Sequence, residues 1–442
     1  MKNFDRCAPR PQSSAAIKIV APSFAICIFL SGLGSPGLRF RAPWGVPVAV
    51  AAERSAVPAI GGPSTRAHEA RDFHAFLGQL FPQAAARGIA RATFEAAIRD
   101  LTLDPSVARA SVRQSEFARP FSAYFTGAVA PRRITQGRAL AVRWRRQLAE
   151  ITRRYGVPGP ILLAAWGMES DFSRATGGKD VIRSLATLAF LRRDRGLFRD
   201  ELLDGLVILQ RGAIARTMMK GSWAGAMGGP QFLPSTYLAH AVSFSGAAAP
   251  DIWTNVPDIL ASIAQFLQTS GWQRGARWGV EVRLPAHFDY ATLHADFRDW
   301  AAWGFRPADG SDLPKTGAAT LFFPAGAKGP AFLLGSNYWV IKTYNNSDAY
   351  ALSLGCLADR IAGKPGLGTP WPSGVPLWDH AEKAEIQRLL RRLGYYSGTI
   401  DGKFGPSSRD AIHAFQRAVG IHPADGVGGA DLLAKLRKRA GQ

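Results

Sequence analysis

Between about residues 67 and 155, apolar positions recur every three to four residues. Phe73, Phe76, Leu77, Leu80 and Phe81 are one such stripe, and this period predicts amphipathic helices. The pattern then changes: from Ile161 to Met168 nearly every residue is apolar, so a helix there is buried on all sides, and Pro158 and Pro160 suit its start. Between Ala276 and Pro330 the chain turns Gly/Pro-rich with short runs at 280–284 and 320–323, which predict strands and loops in a small insertion. Gly363, Pro365, Gly366, Gly368, Pro370, Pro372, Gly374 and Pro376 mark a linker. Beyond it Ile386, Leu389, Leu390 and Leu393 form a helical stripe that ends at Gly394. A second helix turns Ala411, Phe415 and Ala418 inward, and a third carries Leu432, Leu433 and Leu436. The expectation is a mainly α protein (α+β): a helical domain over 67–362 with a small β-containing insertion, a linker over 363–378 and a three-helix unit over 379–438.

Composition sharpens this picture. A chain of 442 residues with 47% apolar content buries a sizeable core. A formal charge of +21 calls for an anionic partner. The basic residues are dispersed and no RNA-module signature is present, so nucleic acid is not expected and an acidic polymer is the better candidate. Lys2, Arg6, Arg10 and Lys18 precede an apolar stretch from Ile19 to Leu33, and small residues occupy 49–52. That pattern reads as an export signal over 1–51, cleaved somewhere in 31–55, or as a membrane anchor if it is not cleaved. Cys7 and Cys27 fall within it, leaving Cys356 as a buried structural thiol in an apolar helix.

Glu169 directly follows the all-apolar run and shares a helix face with Ala165 and Leu162. Against such a face the charged carboxylate is disfavoured and the pKa rises, as a general acid working near neutrality requires. Taken alone, a solvent-facing helix end is the commoner fate of a Glu. Glycines in SWAGAMGGPQF let backbone approach a ligand closely, and Ser222 and Gln231 add a hydroxyl and an amide; a tight turn between helices is the plain alternative. Tyr344, Asn345 and Tyr350 suit a sugar's apolar faces and hydroxyl edges, although Asn345, Asn346 or Ser347 also suits a helix cap. No HExxH pair appears among the His residues, Ser235 is not in a GxSxG setting, and His413 fits an exposed or interfacial place. No second acid has an evident catalytic position: Asp171 lies two residues from Glu169 and so points away on a helix, while Asp251 and Asp258 look like turn or helix-start acids.

Four segments together carry a resemblance. YGVP with the Glu169 helix, SWAGAMGGPQFLPSTY at 222–237, DIWTNVPDILASIAQFL at 251–267 and NYWVIKTYNNSDAYALSLG at 337–355 resemble, in order and spacing, the membrane-bound lytic transglycosylase B family over roughly residues 70–360. The run IQRLLRRLGYYSGTIDGKFGPSSRDAIHAFQ at 386–416 resembles the three-helix peptidoglycan-binding module. The resemblance implies a lysozyme-like catalytic domain acting on peptidoglycan glycan strands, in an exported, periplasmic, wall-associated protein. It implies that Glu169 alone is acid and then base in a cut that leaves a 1,6-anhydro end. It also makes Ser222, Gln231, Tyr344, Asn345 and Tyr350 substrate-binding, together with Tyr124, which falls where the family carries a site tyrosine. Some members hold calcium just before the DIW segment, but Ser243, Ser245 and Ala247 stand here where acids would be needed. No metal and no cofactor are therefore expected. Phe266 stands where members often have a tyrosine, so no polar contact is assigned to it. A hydrolytic muramidase and a non-catalytic wall-binding protein are the rival readings, and no protein partner is implied.

Overall fold

In a computed structural model the described residues are 63–113, 120–375 and 378–441. The expected export signal, with Cys7 and Cys27, lies outside them. Among the described residues, no helix is long and apolar enough to cross a membrane.

Helices dominate from Pro63–Gly78 through Arg145–Tyr155. The next helix, Gly159–Ser170, is the centre of the main core, and Leu162, Leu163, Ala164 and Ala165 are 0% exposed. It tolerates burial on every side because its only polar side chains, Glu169 and Ser170, come in its last turn. Around it pack the helices Pro131–Arg143, Val256–Thr269 and Asp348–Ile361.

The expected insertion is a five-stranded antiparallel sheet. Its strand order is His294–Asp296, Ala318–Phe322, Ala331–Leu334, Gly279–Arg283 and Arg306–Pro307. It has its own core of Trp300, Phe305, Phe323 and Leu333. The strand Ala331–Leu334 leads directly into the helix Ser336–Tyr344, and Gly335 N–H donates to the Trp278 carbonyl at 2.8 Å. The sheet therefore sets where Tyr344 and the residues after it begin.

At the C-terminus, the helices His380–Arg392, Pro406–Ala418 and Leu432–Arg439 close over Ile386, Leu390, Phe415 and Leu436. Asp379 and Glu382 form a reciprocal capping box at the first helix. Buried Gln387 ties the following turn: its Oε1 accepts from the Asp401 and Gly402 amides at 3.0 and 2.8 Å, and its Nε2 donates to Asp401 Oδ1 at 2.9 Å. One inward assignment fails. Ala418 is exposed at the helix end, and Ile412 takes the inward place.

The Gly/Pro-rich segment is not a free tether, as its composition suggested. Glu281 accepts from the Gly368 and Thr369 amides at 2.8 and 2.9 Å. Trp371 packs edge-on against Phe125, with ring centroids 5.1 Å apart. Composition reports the lack of regular structure in such a segment, but not whether a scaffold elsewhere binds its backbone. The three-helix unit is docked too: His294 Nε2 lies 3.0 Å from Asp410, His413 Nε2–H donates to the Tyr290 carbonyl at 2.8 Å, and Asp425 accepts from the Ala327 amide at 3.0 Å.

Candidate active site

Glu169 is partly exposed, in the last turn of a helix whose other residues, Pro160 apart, are buried. Tyr350 O–H donates to its Oε1 at 2.5 Å. Burial pushes the Glu169 pKa up to about 7, and the Tyr350 hydrogen bond offsets only part of that rise. The carboxyl is thus poised between its two protonation states near neutrality. The phenols beside it are pushed the other way: burial, and then the charge of Glu169, raises Tyr344 and Tyr350 well above the usual tyrosine range. Both tyrosines stay protonated as donors.

Directly after Glu169 the backbone turns sharply. Asp171, Phe172 and Ser173 have φ of 48°, 59° and 66°, a left-handed run that costs non-glycine residues roughly 1–2 kcal/mol each. Side chains hold it in place. Ser170 O–H donates to the Gly229 carbonyl at 2.7 Å, Trp166 Nε1–H donates to Ser173 Oγ at 2.8 Å, and Phe172 packs edge-on against Trp166. Only glycine fits at Gly167, because a Cβ there would come within 2.7 Å of the Phe172 ring. Asp171 pairs with Arg132 at 2.6 Å and lies 3.8 and 3.9 Å from Arg133 and Arg174. Its charge is held by arginines rather than offered to a reaction.

The loop over 222–233 supplies another wall. Ser222 Oγ accepts from the Ala224 and Ala226 amides at 3.3 and 3.1 Å, so this hydroxyl closes its own turn. Met227 and Phe232 exchange backbone hydrogen bonds of 2.8 and 3.1 Å, which leaves Gly228 to Gln231 as the tip of the loop. Gly228, at φ 65°, lies against the Ile252 carbonyl where any Cβ would collide. Gln231 itself has φ 54°, and its Nε2 donates to the carbonyls of Thr176 and Gly228 at 3.0 and 2.9 Å. With its amide nitrogen so engaged, Oε1 is the end suited to a ligand N–H. The following helix, Pro234–His240, is anchored by buried Glu201, which accepts from Ser235 N–H and O–H at 3.0 and 2.6 Å. That pairing gives Ser235 a structural task.

Tyr344 and Tyr350 stack with their rings 18° apart, and Tyr344 O–H donates to the Pro230 carbonyl at 2.7 Å, joining this wall to the glycine loop. Asn345 caps neither helix with its side chain: Ser347 is the N-cap, accepting from Tyr350 N–H at 3.3 Å. Asn345 Oδ1 is buried without a partner among the described residues, an acceptor left for something else. Tyr124, on the helix Phe121–Ala128, packs on the main core and lies near enough to Tyr350 to raise its pKa. Phe266 packs edge-on against Tyr344, with centroids 4.9 Å apart.

The segment over 243–251 does not fit a calcium site. Ser243 Oγ accepts from the Ala247 amide at 2.9 Å, and the Asp258 carboxylate accepts from the amides of Phe244 and Asp251 at 2.8 and 2.9 Å. A carboxylate thus organises this loop from below, without the cluster of charged oxygens a hard cation needs. Sequence reasoning missed Asp348, which begins the helix Asp348–Ile361 and whose side chain is only 9% exposed. Its Oδ1 accepts from Tyr338 O–H and Lys342 Nζ, both at 2.8 Å, and its Oδ2 pairs with Arg409 of the C-terminal unit. Burial alone would raise its pKa, but Arg409 and Lys342 hold it well below the usual carboxylate range. An acid in a first helical turn was a visible signal; its partner lies 61 residues away and was not.

Residues 72–359 match the family model described as transglycosylase SLT domain, and residues 379–436 match the model described as putative peptidoglycan binding domain. The chain is 30% identical over 215 residues to membrane-bound lytic murein transglycosylase B of Escherichia coli, a match spanning 47% of this chain and 58% of that relative. The crystal structure of SltB3 from Pseudomonas aeruginosa in complex with NAG-NAM-pentapeptide is similar at TM-score 0.76 and 42% identity, covering 83% of this chain and 99% of that one. Escherichia coli lytic transglycosylase Slt35 in complex with bulgecin A is similar at TM-score 0.55 and 25% identity, covering 66% and 93% of the two chains.

Proposed function

Because this chain belongs to the transglycosylase SLT family, we propose that it cleaves the β-1,4 bond between N-acetylmuramic acid and N-acetylglucosamine in peptidoglycan without water, leaving 1,6-anhydro ends. The observation that carries this reading is Glu169: a carboxyl at the end of a buried helix, with its pKa pushed up to about 7 and a tyrosine O–H on Oε1. Protonated, it donates to the glycosidic oxygen as the bond breaks. The substrate's own acetamido group stabilises the electron-poor carbon. Glu169, now charged, takes the proton of the muramic C6 hydroxyl, whose oxygen closes the anhydro ring.

A hydrolase of the usual kind needs a second carboxylate to activate water or to form a covalent intermediate. Here the neighbouring acids are engaged, Asp171 by arginines and Asp348 by Lys342, Arg409 and Tyr338. That arrangement favours acid and base in turn on one residue. Gln231 Oε1 is placed to accept from an acetamido N–H, Asn345 Oδ1 to accept from a sugar hydroxyl, and the stacked pair Tyr344 and Tyr350 to face a sugar ring. Tyr124 lines the same wall, and Ser222 serves by fixing the loop.

Residues 379–436 serve as the wall-binding module. The basic net charge favours the anionic wall. We place the protein in the periplasm, associated with the cell wall, with residues 1–51 as the export signal. The test is digestion of purified peptidoglycan by wild type and Glu169→Gln, with fragments resolved by mass spectrometry. Anhydro ends from wild type and none from the variant support the reading. Reducing ends would make the enzyme a muramidase, and intact cutting by the variant would remove Glu169 from the reaction.

A further inference from the structure

One place where the C-terminal module meets the catalytic domain is the first turn of its helix Pro406–Ala418. Pro406, Arg409 and Asp410 of that turn line one side of a small crevice, and Phe322, Trp339 and Asp348 are among the residues that line the other. The Arg409 guanidinium lies 4.6 Å from the centre of the Phe322 ring and pairs with Asp348 Oδ2. The pair is largely shielded from water, with 18% of the Arg409 and 9% of the Asp348 side chain exposed. Two of this module's other contacts with the insertion are of a different kind. The His294 and Asp410 side chains are about half exposed, and Arg417 donates to the Asp289 carbonyl at 3.3 Å on the surface.

Asp348 is not an arbitrary point of attachment. It opens the helix Asp348–Ile361, one residue after the N-cap Ser347 and two before Tyr350. Tyr350 is the residue that donates to Glu169. Asp348 also receives Tyr338 and Lys342 from the preceding helix, Ser336–Tyr344, which carries Tyr344. One buried carboxylate therefore gathers the ends of both helices that form the tyrosine wall, and Arg409 covers the face of it that the catalytic domain leaves open.

The geometry points to Arg409 as a positioning residue for the cut: by pairing with Asp348 it holds the turn that aims Tyr350 at Glu169, so the wall-binding module is part of the active site's scaffold as well as its anchor. This inference rests on the proposed role of Glu169. The physical basis is that a buried carboxylate deprived of one cation reorients toward the other, here Lys342, or admits water. Either response moves the helix start that fixes Tyr350. Errors of about an ångström in such geometry cost roughly a hundredfold in rate at the extreme.

The test uses the full-length chain and short soluble glycan fragments, too short to bridge module and cleft, so that tethering contributes nothing. Arg409→Ala should lower kcat by about tenfold or more, with KM changed by less than about threefold, while retention on insoluble peptidoglycan stays at the wild-type level. Arg409→Lys, which keeps a cation at the position, should recover a substantial part of kcat. Asp410→Asn, which alters only a half-exposed rim contact, should cut at the wild-type rate. Thermal melting of each variant identifies any that does not fold, and the lysine variant then carries the comparison. Wild-type kcat in Arg409→Ala, or an equal loss in Asp410→Asn, would overturn the inference. Neither result touches the assignment of Glu169, which stands or falls with Glu169→Gln measured on the same fragments.

Discussion

Replacing Glu169 by Gln removes a charge that the fold holds at a cost, so the inactive variant should be the more stable protein above neutral pH. The folded-state pKa is raised from 4.5 to about 7. Between those values the unfolded chain releases its proton while the folded one keeps it, so stability falls as pH rises across that window and stays reduced above it. At about 1.36 kcal/mol per unit the shift corresponds to roughly 3 kcal/mol. Partial exposure at the cleft screens some of this, which leaves about 2 kcal/mol. Gln keeps the shape and an oxygen to accept from Tyr350, but carries no charge at any pH. Thermal melts followed by circular dichroism at pH 4 and pH 8 should therefore show near-equal midpoints at the lower pH and Glu169→Gln ahead by roughly 3 °C at the higher one. A variant no more stable than wild type at pH 8, or stabilised equally at both, would refute the reasoning about a desolvated carboxyl. Stability gained together with activity lost is the pattern expected of a strained catalytic group.

Other outcomes follow from the same geometry. Wild-type cutting should decline as pH rises through about 7, where Glu169 loses its proton; in Tyr350→Phe, which removes a hydrogen bond that favours the charged form, that decline should move to higher pH while the maximal rate falls about tenfold. Gly167→Ala would force a Cβ to within 2.7 Å of the Phe172 ring and should destabilise the protein by about 1–3 kcal/mol in chemical denaturation, with activity lost as the 171–173 turn shifts. Because Asp258 and Ser243 already hold the loop over 243–251 by hydrogen bonds, treatment with a chelator such as EDTA should leave both the melting midpoint and the cutting rate unchanged.

The helix bearing Glu169 was legible because its signals are local: two prolines at the start, an unbroken apolar run, and an acid where the run stops. The five-stranded sheet was foreshadowed by short apolar runs among glycines, although its strand order depends on pairings between distant segments that leave no period in the chain. Side-chain duties were harder to read. Ser222 and Gln231 could be singled out by type, yet nothing local says that Ser222 closes its own turn or that Gln231 engages its nitrogen on Thr176 and Gly228. Of three candidate caps in the sequence Asn345-Asn346-Ser347, the serine was chosen by backbone geometry that composition does not encode. That the linker and module are docked on the catalytic domain was illegible for the same reason. Glu281 binding the backbone of Gly368 and Thr369, and Arg409 meeting Asp348, are single long-range pairs, and single pairs have no periodic signature.

The central claim is that one carboxyl gives a proton and takes one back while no water enters the bond. Digestion of peptidoglycan in water enriched in heavy oxygen, with mass analysis of the new ends, measures this directly. The account predicts anhydromuramic ends, each one water lighter than a reducing end and free of label. Labelled reducing ends as the main product would contradict it.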